Sequence, residues 1–217
     1  VAGTTAEAAS IMSGRFSADA SAPLFILHKS RGTSVTTNTV LEEDDIVGRL
    51  AWYGADGTDW EEAAHIQCQV DGEVATGGDT TDMPGRLVFA TTPNGDHNAL
   101  ERLRIDSSGR IGIGVTPASW ATSYKVLQVG AATLVGQAAG DGSTSNYSNN
   151  AYFDTTDNRW EYIGDDDASQ ITQSDGKIIF KRATSGTANS AITWSESMRI
   201  DSSGRLLIGL SSAPAGS

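Results

Sequence analysis

The sequence predicts an all-β fold made of short strands joined by tight turns. Gly fills 24 of the 217 positions and Ser plus Thr fill 46, and apolar residues alternate with polar ones in short runs. Gly and Ser are common in turns, whereas Thr and alternating apolar residues suit strands with one covered face. A motif that occurs twice further indicates two similar units.

The predicted strands follow one another along most of the chain. Each is an apolar or alternating run bounded by turn residues such as Gly, Asn, Asp and Pro. The closest approach to a helical pattern, Val126–Ala139, is weakened by two glycines. In the second predicted strand, alternation with Leu50 predicts that Trp52 points into the core. The strands are Leu24–His28, Ile46–Tyr53, His65–Val70, Arg86–Thr91, Leu103–Ile105, Ile111–Val115, Trp160–Ile163 and Lys177–Lys181.

The repeated motif is a heptapeptide that predicts a β-hairpin. Arg104–Arg110 and Arg199–Arg205 are identical in sequence, and alternating apolar residues flank both copies. Between the strands, Asp can accept hydrogen bonds from the following amides and Gly can adopt a positive φ. The predicted structural turn residues are Asp106, Gly109, Asp201 and Gly204.

The return strand of this hairpin carries glycines on one face. Gly112 and Gly114 alternate with apolar residues, so we expect another chain or a neighbouring rung to approach the backbone there. The second copy keeps Gly209 but has Leu207 in place of Gly112. Only one of the two glycines, Gly112 and Gly114, is therefore predicted to be sterically required.

Composition divides the chain into five segments. Residues 1–20 are a polar linker or shaft segment, 21–118 the first β repeat unit, 119–150 a spacer, 151–212 the second β repeat unit and 213–217 a polar tail. The Gly/Ser/Asn-rich stretch Gly136–Asn150 within the spacer is expected to be a loop or joint. Because the chain begins at Val1 and ends in a polar tail, we interpret it as part of a longer protein.

The charge balance excludes several partners. A net charge of −12 without a basic cluster argues against nucleic-acid binding. No run approaches the roughly 18 apolar residues that a membrane-spanning helix needs.

The single cysteine, Cys68, cannot form an intrachain disulfide, and its alternation with Ile66 and Val70 predicts a small buried side chain.

The acidic clusters are interpreted as solvated loops. Neighbouring residues on a strand point to opposite faces, so they do not form the paired carboxylates of a glycosidase. Their spacing matches no complete calcium loop, and the three histidines lack zinc-ligand spacing. We therefore predict no catalytic residue, no metal site and no cofactor, and leave weak calcium binding open. The clusters are Glu42–Asp45, Glu61–Glu62 and Asp165–Asp167.

A polar and aromatic region after the low-complexity stretch is the predicted ligand site. Aromatic rings can lie against the apolar faces of sugars while amides bind their hydroxyls, and the alternative is ordinary core packing. The predicted ligand-binding residues are Asn146, Tyr147, Tyr152 and Trp160.

Five segments also carry a family resemblance. They are Asp45–Leu50, Gly54–Asp59, Met83–Phe89, Glu101–Gly114 and its second copy Glu196–Gly209. These segments resemble phage tail fibre proteins, particularly those encoded by marine and cyanobacterial phages. The resemblance implies an elongated, intertwined homotrimeric β fibre in the virion, with a structural and host-adhesion role outside the cell.

The resemblance also implies partners. They are other fibre or tail proteins and a polysaccharide of the bacterial surface, and proteins of this kind often lose a C-terminal chaperone domain after assembly. A trimer would bury Ile105, Ile111 and Ile113 jointly around one axis and leave no open sheet edge. Two alternatives stay open: a tailspike that depolymerises a surface glycan, and a subunit of a secreted bacterial adhesin or filament.

Overall fold

The computed structural model describes residues 11, 13–74, 81–137, 144–210 and 212. These residues form fourteen β-strands, which confirms the all-β class. Within this part of the chain, no helix has the length and apolar character that crossing a bilayer requires. The strands are β1 Ile46–Ala55, β2 Trp60–Val70, β3 Gly85–Thr91, β4 Leu100–Ile105, β5 Ile111–Ile113, β6 Tyr124–Val129, β7 Ala132–Gln137, β8 Ser145–Asn149, β9 Ala151–Asp154, β10 Arg159–Tyr162, β11 Asp166–Ser174, β12 Lys177–Gly186, β13 Ser195–Ile200 and β14 Leu206–Ile208.

Twelve of these strands form one sheet whose spatial order follows the chain. The order runs from β1 to β8 and then from β11 to β14, while β9 and β10 pair separately. Every neighbouring pair in the large sheet is antiparallel except β5 and β6, which are parallel. Counting these directions along the sheet shows that β1 and β14 point the same way.

The two copies of the repeated motif lie in hairpins of the same register. The β4–β5 pairing of the first copy recurs residue for residue in the β13–β14 pairing of the second. The first strand of each hairpin also carries a β-bulge at the equivalent place: Arg102 of β4 is the extra residue opposite Phe89 and Ala90, and Ser197 of β13 is the extra residue opposite Phe180 and Lys181. Equal local sequences have therefore produced equal local structures.

The structural repeat is longer than the sequence repeat. Phe89 pairs with Ile66 of β2, as Phe180 pairs with Ile171 of β11. On the side of β2 and β11 away from the hairpins lie β1, in which Leu50 pairs with Ile66, and β8, in which Tyr147 pairs with Ile171. We call β1–β5 the first unit, and β8 with β11–β14 the second unit; β6 and β7 join them.

Two predictions about elements differ from the structure. Leu24–His28 forms no strand, since no described strand pairs with it and all of its residues are exposed. Ser145–Asn149, predicted as part of a loop, is strand β8 because β7 and β11 pair with it on both sides. Residues 1–10 and 12, 138–143 and 213–217 of the predicted linker, loop and tail lie outside the described residues. The five segment boundaries stay predictions.

The apolar core lies on one face of β6 and β7. Trp120 packs there against Val126, Val135 and Tyr152, and the small β9–β10 sheet lies beside it, since β9 contacts β7 and β11. Trp160 joins this cluster, with its ring centroid 6.1 Å from that of Trp120. A second cluster, centred on Tyr162, Ala168 and Ala183, continues along the second unit.

Candidate functional site

One face of the twelve-stranded sheet carries an apolar side chain on every strand. Strand residues that pair directly lie on the same face, so the register identifies the apolar residues that share this face. We call the set the apolar face. Its members are Leu50, Trp52, Ile66, Leu87, Phe89, Leu103, Ile105, Ile111, Ile113, Leu127, Val129, Leu134, Tyr147, Ile171, Ile178, Phe180, Met198, Ile200, Leu206 and Ile208.

The side chains of the apolar face are exposed or half-buried. Leu134 in the middle of the sheet is 54% exposed and Ile208 at its end is 69% exposed. Trp52 is 52% exposed, so the prediction that it lies in the core is wrong: alternation identified its face, but the described chain leaves it half open. Monomeric proteins rarely expose apolar patches above a few hundred Å². A face of twelve strands therefore predicts a covering partner.

The opposite face of the sheet is covered by the chain itself and is unusually polar. Gln128, Thr133, Ser148 and Gln170 pair in sequence across four strands and are all buried. Their polar atoms have partners: the Gln170 amide donates to Ser148 Oγ at 3.1 Å, and Gln128 Oε1 accepts from the Trp120 indole at 3.2 Å. Burial here costs little because the hydrogen bonds are made. The apolar face has little such cover from the described residues, although Leu27 lies over Gly48 at its β1 edge.

The predicted turn residues hold both repeated hairpins in one conformation. Asp106 Oδ1 accepts from the amides of Ser108 and Arg110 at 3.0 and 2.9 Å, and Oδ2 accepts from Arg110 Nε at 2.6 Å. Asp201 makes the same three bonds in the second copy. The φ angles of the turn glycines are +75° at Gly109 and +79° at Gly204. Asp and Gly thus have the roles that their chemistry predicts.

The glycines of the return strands are required for two different reasons. A Cβ on Gly112 would overlap the Val115 carbonyl oxygen and lie 2.9 Å from Pro117 Cδ, so the chain's own connection to β6 approaches here. Gly114 and Gly209 have φ near +65° and a Cβ on either would meet open space. A close approach to the backbone is therefore found at Gly112, where it comes from this chain's own connection, while the approach of another chain to Gly114 and Gly209 stays a prediction.

A carboxylate ties the first hairpin to the preceding turn. Asp71, after β2, accepts from the Ser107 amide at 2.7 Å and from Arg86 Nη1 at 3.0 Å. Burial raises the pKa of Asp71, but these hydrogen bonds and the Arg86 charge outweigh it and hold the pKa below its usual value. The equivalent corner of the second unit has Gly176 beside Ser202 instead. The first hairpin is therefore anchored more firmly.

The structure does not bring the four predicted ligand residues together. Asn146 and Tyr147 point to opposite faces of β8: Asn146 is buried and accepts from Thr172 Oγ1 at 2.9 Å, while Tyr147 is exposed on the apolar face. Tyr152 is buried in the aromatic core and Trp160 is half-buried beside it. Their ligand-binding role stays a prediction, with Tyr147 the most accessible of the four. Period-two alternation through Ser145–Asn149 was the signal that this segment is a strand.

One group of carboxylates has the spacing of a metal site. Ligand oxygens of Asp154, Asp157 and Glu161 lie within 4.8 Å of one another. Glu161 accepts from the Tyr152 hydroxyl at 2.6 Å and from Arg159 Nε at 2.9 Å, and Arg159 also pairs with Asp157 at 2.7 Å. Burial and the Glu161 carboxylate together raise the pKa of Tyr152. These carboxylates already have structural partners.

The acidic cluster before β1 is likewise engaged in ion pairs. Asp45 accepts from Arg31 Nε at 2.6 Å and from Lys29 Nζ at 2.8 Å. The Arg31 bond, followed by that from Lys29, holds the pKa of Asp45 far below its usual range. This carboxylate is therefore ionised at neutral pH and fixes the segment before β1 to the start of the sheet.

Comparison with known proteins gives similarity in structure alone. No protein-family model matches the chain, and no curated protein sequence matches it. The carboxy-terminal domain of the bacteriophage T5 L-shaped tail fibre is similar, with 12% identity, 94% of this chain and 92% of that chain covered, and a TM-score of 0.44. The same domain with its intramolecular chaperone is also similar, at 13% identity and a TM-score of 0.45, with 94% of this chain and 63% of the longer chain covered.

Proposed function

We propose that this chain is a non-catalytic assembly module of a phage tail fibre and that it associates as a homotrimer through the apolar face. The apolar face is the observation that carries the proposal. Its side chains span all twelve strands of the sheet and are exposed or half-buried. Three copies around one rotation axis would bury these faces against one another, and burying apolar area is the main favourable term in association.

Charge and sequence motifs support the same assignment. Each protomer carries a net charge of −12, which favours the solubility of a trimer. The ionisable residues Lys125 and Arg182 share the side of the sheet on which Leu127 and Phe180 lie, and both are exposed. The repeated heptapeptide and its flanking glycines are the segments that resemble tail fibre proteins. We place the module in the virion tail, in contact with other fibre or tail proteins.

Attachment to a bacterial surface glycan is the second part of the proposal. Of the four residues predicted from the sequence, Asn146 and Tyr152 are buried and Tyr147 belongs to the apolar face. Tyr53 and Trp60 are better placed, because the register puts them on the face opposite Trp52 at the β1–β2 tip. Trp60 is 73% exposed and can lie against a sugar ring.

The native mass tests the assembly. We expect sedimentation to give about three times 22.7 kDa for the unmodified chain. Leu134→Glu puts a charge in the middle of the apolar face, and we expect it to shift the protein to monomers. Because Leu134 is largely exposed in the protomer, its far-UV circular dichroism should not change. The matched control is Thr155→Glu, in an exposed turn, which should remain trimeric.

Other outcomes of these measurements would replace the proposal. A monomeric parent chain at micromolar concentration would remove the trimer. Long heterogeneous polymers would favour a secreted filament subunit, and new reducing ends from host polysaccharide would establish a depolymerase.

The glycan part has a separate test. We expect Trp60→Ala to remain trimeric and to lose binding to host cells, whereas Val129→Ala, on the apolar face, keeps binding as long as the trimer persists. Unchanged binding by Trp60→Ala would show that the β1–β2 tip does not hold the glycan.

A further inference from the structure

The two units of the sheet differ in what lies beyond their last strand. In the first unit, β5 has an outer neighbour: Ile111, Gly112 and Ile113 pair in parallel with Leu127, Gln128 and Val129 of β6. Its equivalent in the second unit is β14, whose inner pairing with β13 is the same. No strand among the described residues pairs with the outer edge of β14, and none pairs with that of β1.

The connection that places β6 beside β5 in the first unit has no equivalent route in the second unit. After β5 the chain passes over the polar face, where Val115 and Pro117 lie against the bare backbone of Gly112. At the equivalent position Leu207 is only 7% exposed, so its side chain fills that space. A connection of the β5–β6 kind cannot cover Leu207 without displacing it. A parallel neighbour for β14 must therefore arrive by another route.

The other open edge of the sheet, β1, has the direction and the side chains that a parallel neighbour of β14 needs. β1 and β14 point the same way, so rotation about an axis along the strands brings β14 of one copy beside β1 of the next in parallel. This is the orientation that β5 and β6 already show. Both edges also end the apolar face with exposed side chains: Leu206 and Ile208 on β14, and Leu50 and Trp52 on β1.

We infer that β14 of each protomer pairs in parallel with β1 of the next protomer, with Leu206 opposite Leu50 and Ile208 opposite Trp52. The alternative register, with Leu206 opposite Gly48 and Ile208 opposite Leu50, is less suitable because Leu27 already packs over Gly48. Edge pairing of this kind is heterologous, and after three copies it closes and leaves no free sheet edge. This inference rests on the self-association proposed above.

Chemical crosslinking of paired cysteines tests the inference. In a Cys68→Ser background, which removes the single native cysteine, Trp52→Cys and Ile208→Cys are combined and treated with a short bis-maleimide. We expect covalent trimers on a denaturing gel, and no more than dimers from either single variant. Leu50→Cys with Leu206→Cys is a second pair with the same expectation. Thr155→Cys with Ile208→Cys is the matched control and should give no trimer.

Sedimentation before crosslinking separates the possible failures. If both paired variants sediment as trimers but do not crosslink, the edge pairing is wrong while the self-association stands. If the Cys68→Ser parent is monomeric, the self-association fails and the edge pairing with it. Covalent ladders that continue past the trimer would overturn the closed ring.

Discussion

The first and second units of the sheet have the same pairings but different surroundings. In the first unit the hairpin turn is tied to Asp71, and the return strand β5 is an interior strand beneath its own crossover. In the second unit the same turn has no such anchor, and β14 is the last strand of the sheet. The heptapeptide thus sets the hairpin, whereas residues around it, above all Gly112 and Leu207, set where the hairpin sits.

Substitutions at Gly112 and Leu207 should have the largest effect on stability. We expect Gly112→Ala to lower the free energy of unfolding by about 3 kcal/mol, because even one methyl group overlaps the crossover. Leu207→Ala should cost about 3 kcal/mol for the opposite reason, the loss of a buried side chain.

Urea denaturation at one protein concentration measures both changes. Gly136→Ala is the matched control for Gly112→Ala, because a Cβ there meets open space, and it should change stability by less than about 0.5 kcal/mol. Equal effects of the two glycine substitutions would contradict the steric overlap at Gly112.

A smaller and symmetric effect is expected at the turn glycines. Gly109→Ala and Gly204→Ala each force a side chain into positive φ with no clash, which costs about 1–2 kcal/mol. Because the two turns share the three hydrogen bonds to their Asp side chains, the two losses should agree within about 0.5 kcal/mol. Thermal unfolding of the two variants and of Gly54→Ala, a glycine in open space without positive φ, makes this comparison. Clearly unequal losses would mean that the two turns differ in ways beyond their shared contacts.

The smallest expected difference between the two units is in how acid lowers their stability. Asp71 in the first unit has a lowered pKa, as does Asp201 in the second, where the Arg205 amide is the main cause. A carboxyl whose folded pKa lies below its unfolded value of about 3.9 stabilises the fold above that value and loses the effect as the pH falls through the folded pKa. We expect the melting temperature to fall below about pH 4.

Substitution assigns that acid response to one unit. Asp71→Asn should flatten the decline between about pH 4 and pH 2, with Asp157→Asn in the exposed β9–β10 turn as the matched control for a carboxylate outside both units. An unchanged acid profile for Asp71→Asn would mean that its contacts do not persist in solution.

The hairpins were predictable because their information is local. Asp106, Gly109 and their second copies need only a neighbouring amide or a positive φ, and the sequence contains both. The likeness of β1 to β8 could not be predicted. Leu50 and Tyr147 occupy equivalent positions in the register, but the sequences around them have no pattern in common. Alternation also predicts which residues share a face but not which face is covered. For that reason Trp52 and Tyr147 could not be placed from the sequence.

The order of strands in the sheet has a consequence for synthesis. Almost every strand pairs with the strand made just before it. The exceptions are β9, which pairs only with β10, and β11, which reaches past the β9–β10 hairpin to β8. Such local pairing lowers the entropy cost of closing each loop and favours fast folding. The sheet can therefore grow strand by strand as the chain leaves the ribosome. Each newly added strand is the open edge until its successor arrives, and β14 inherits that position.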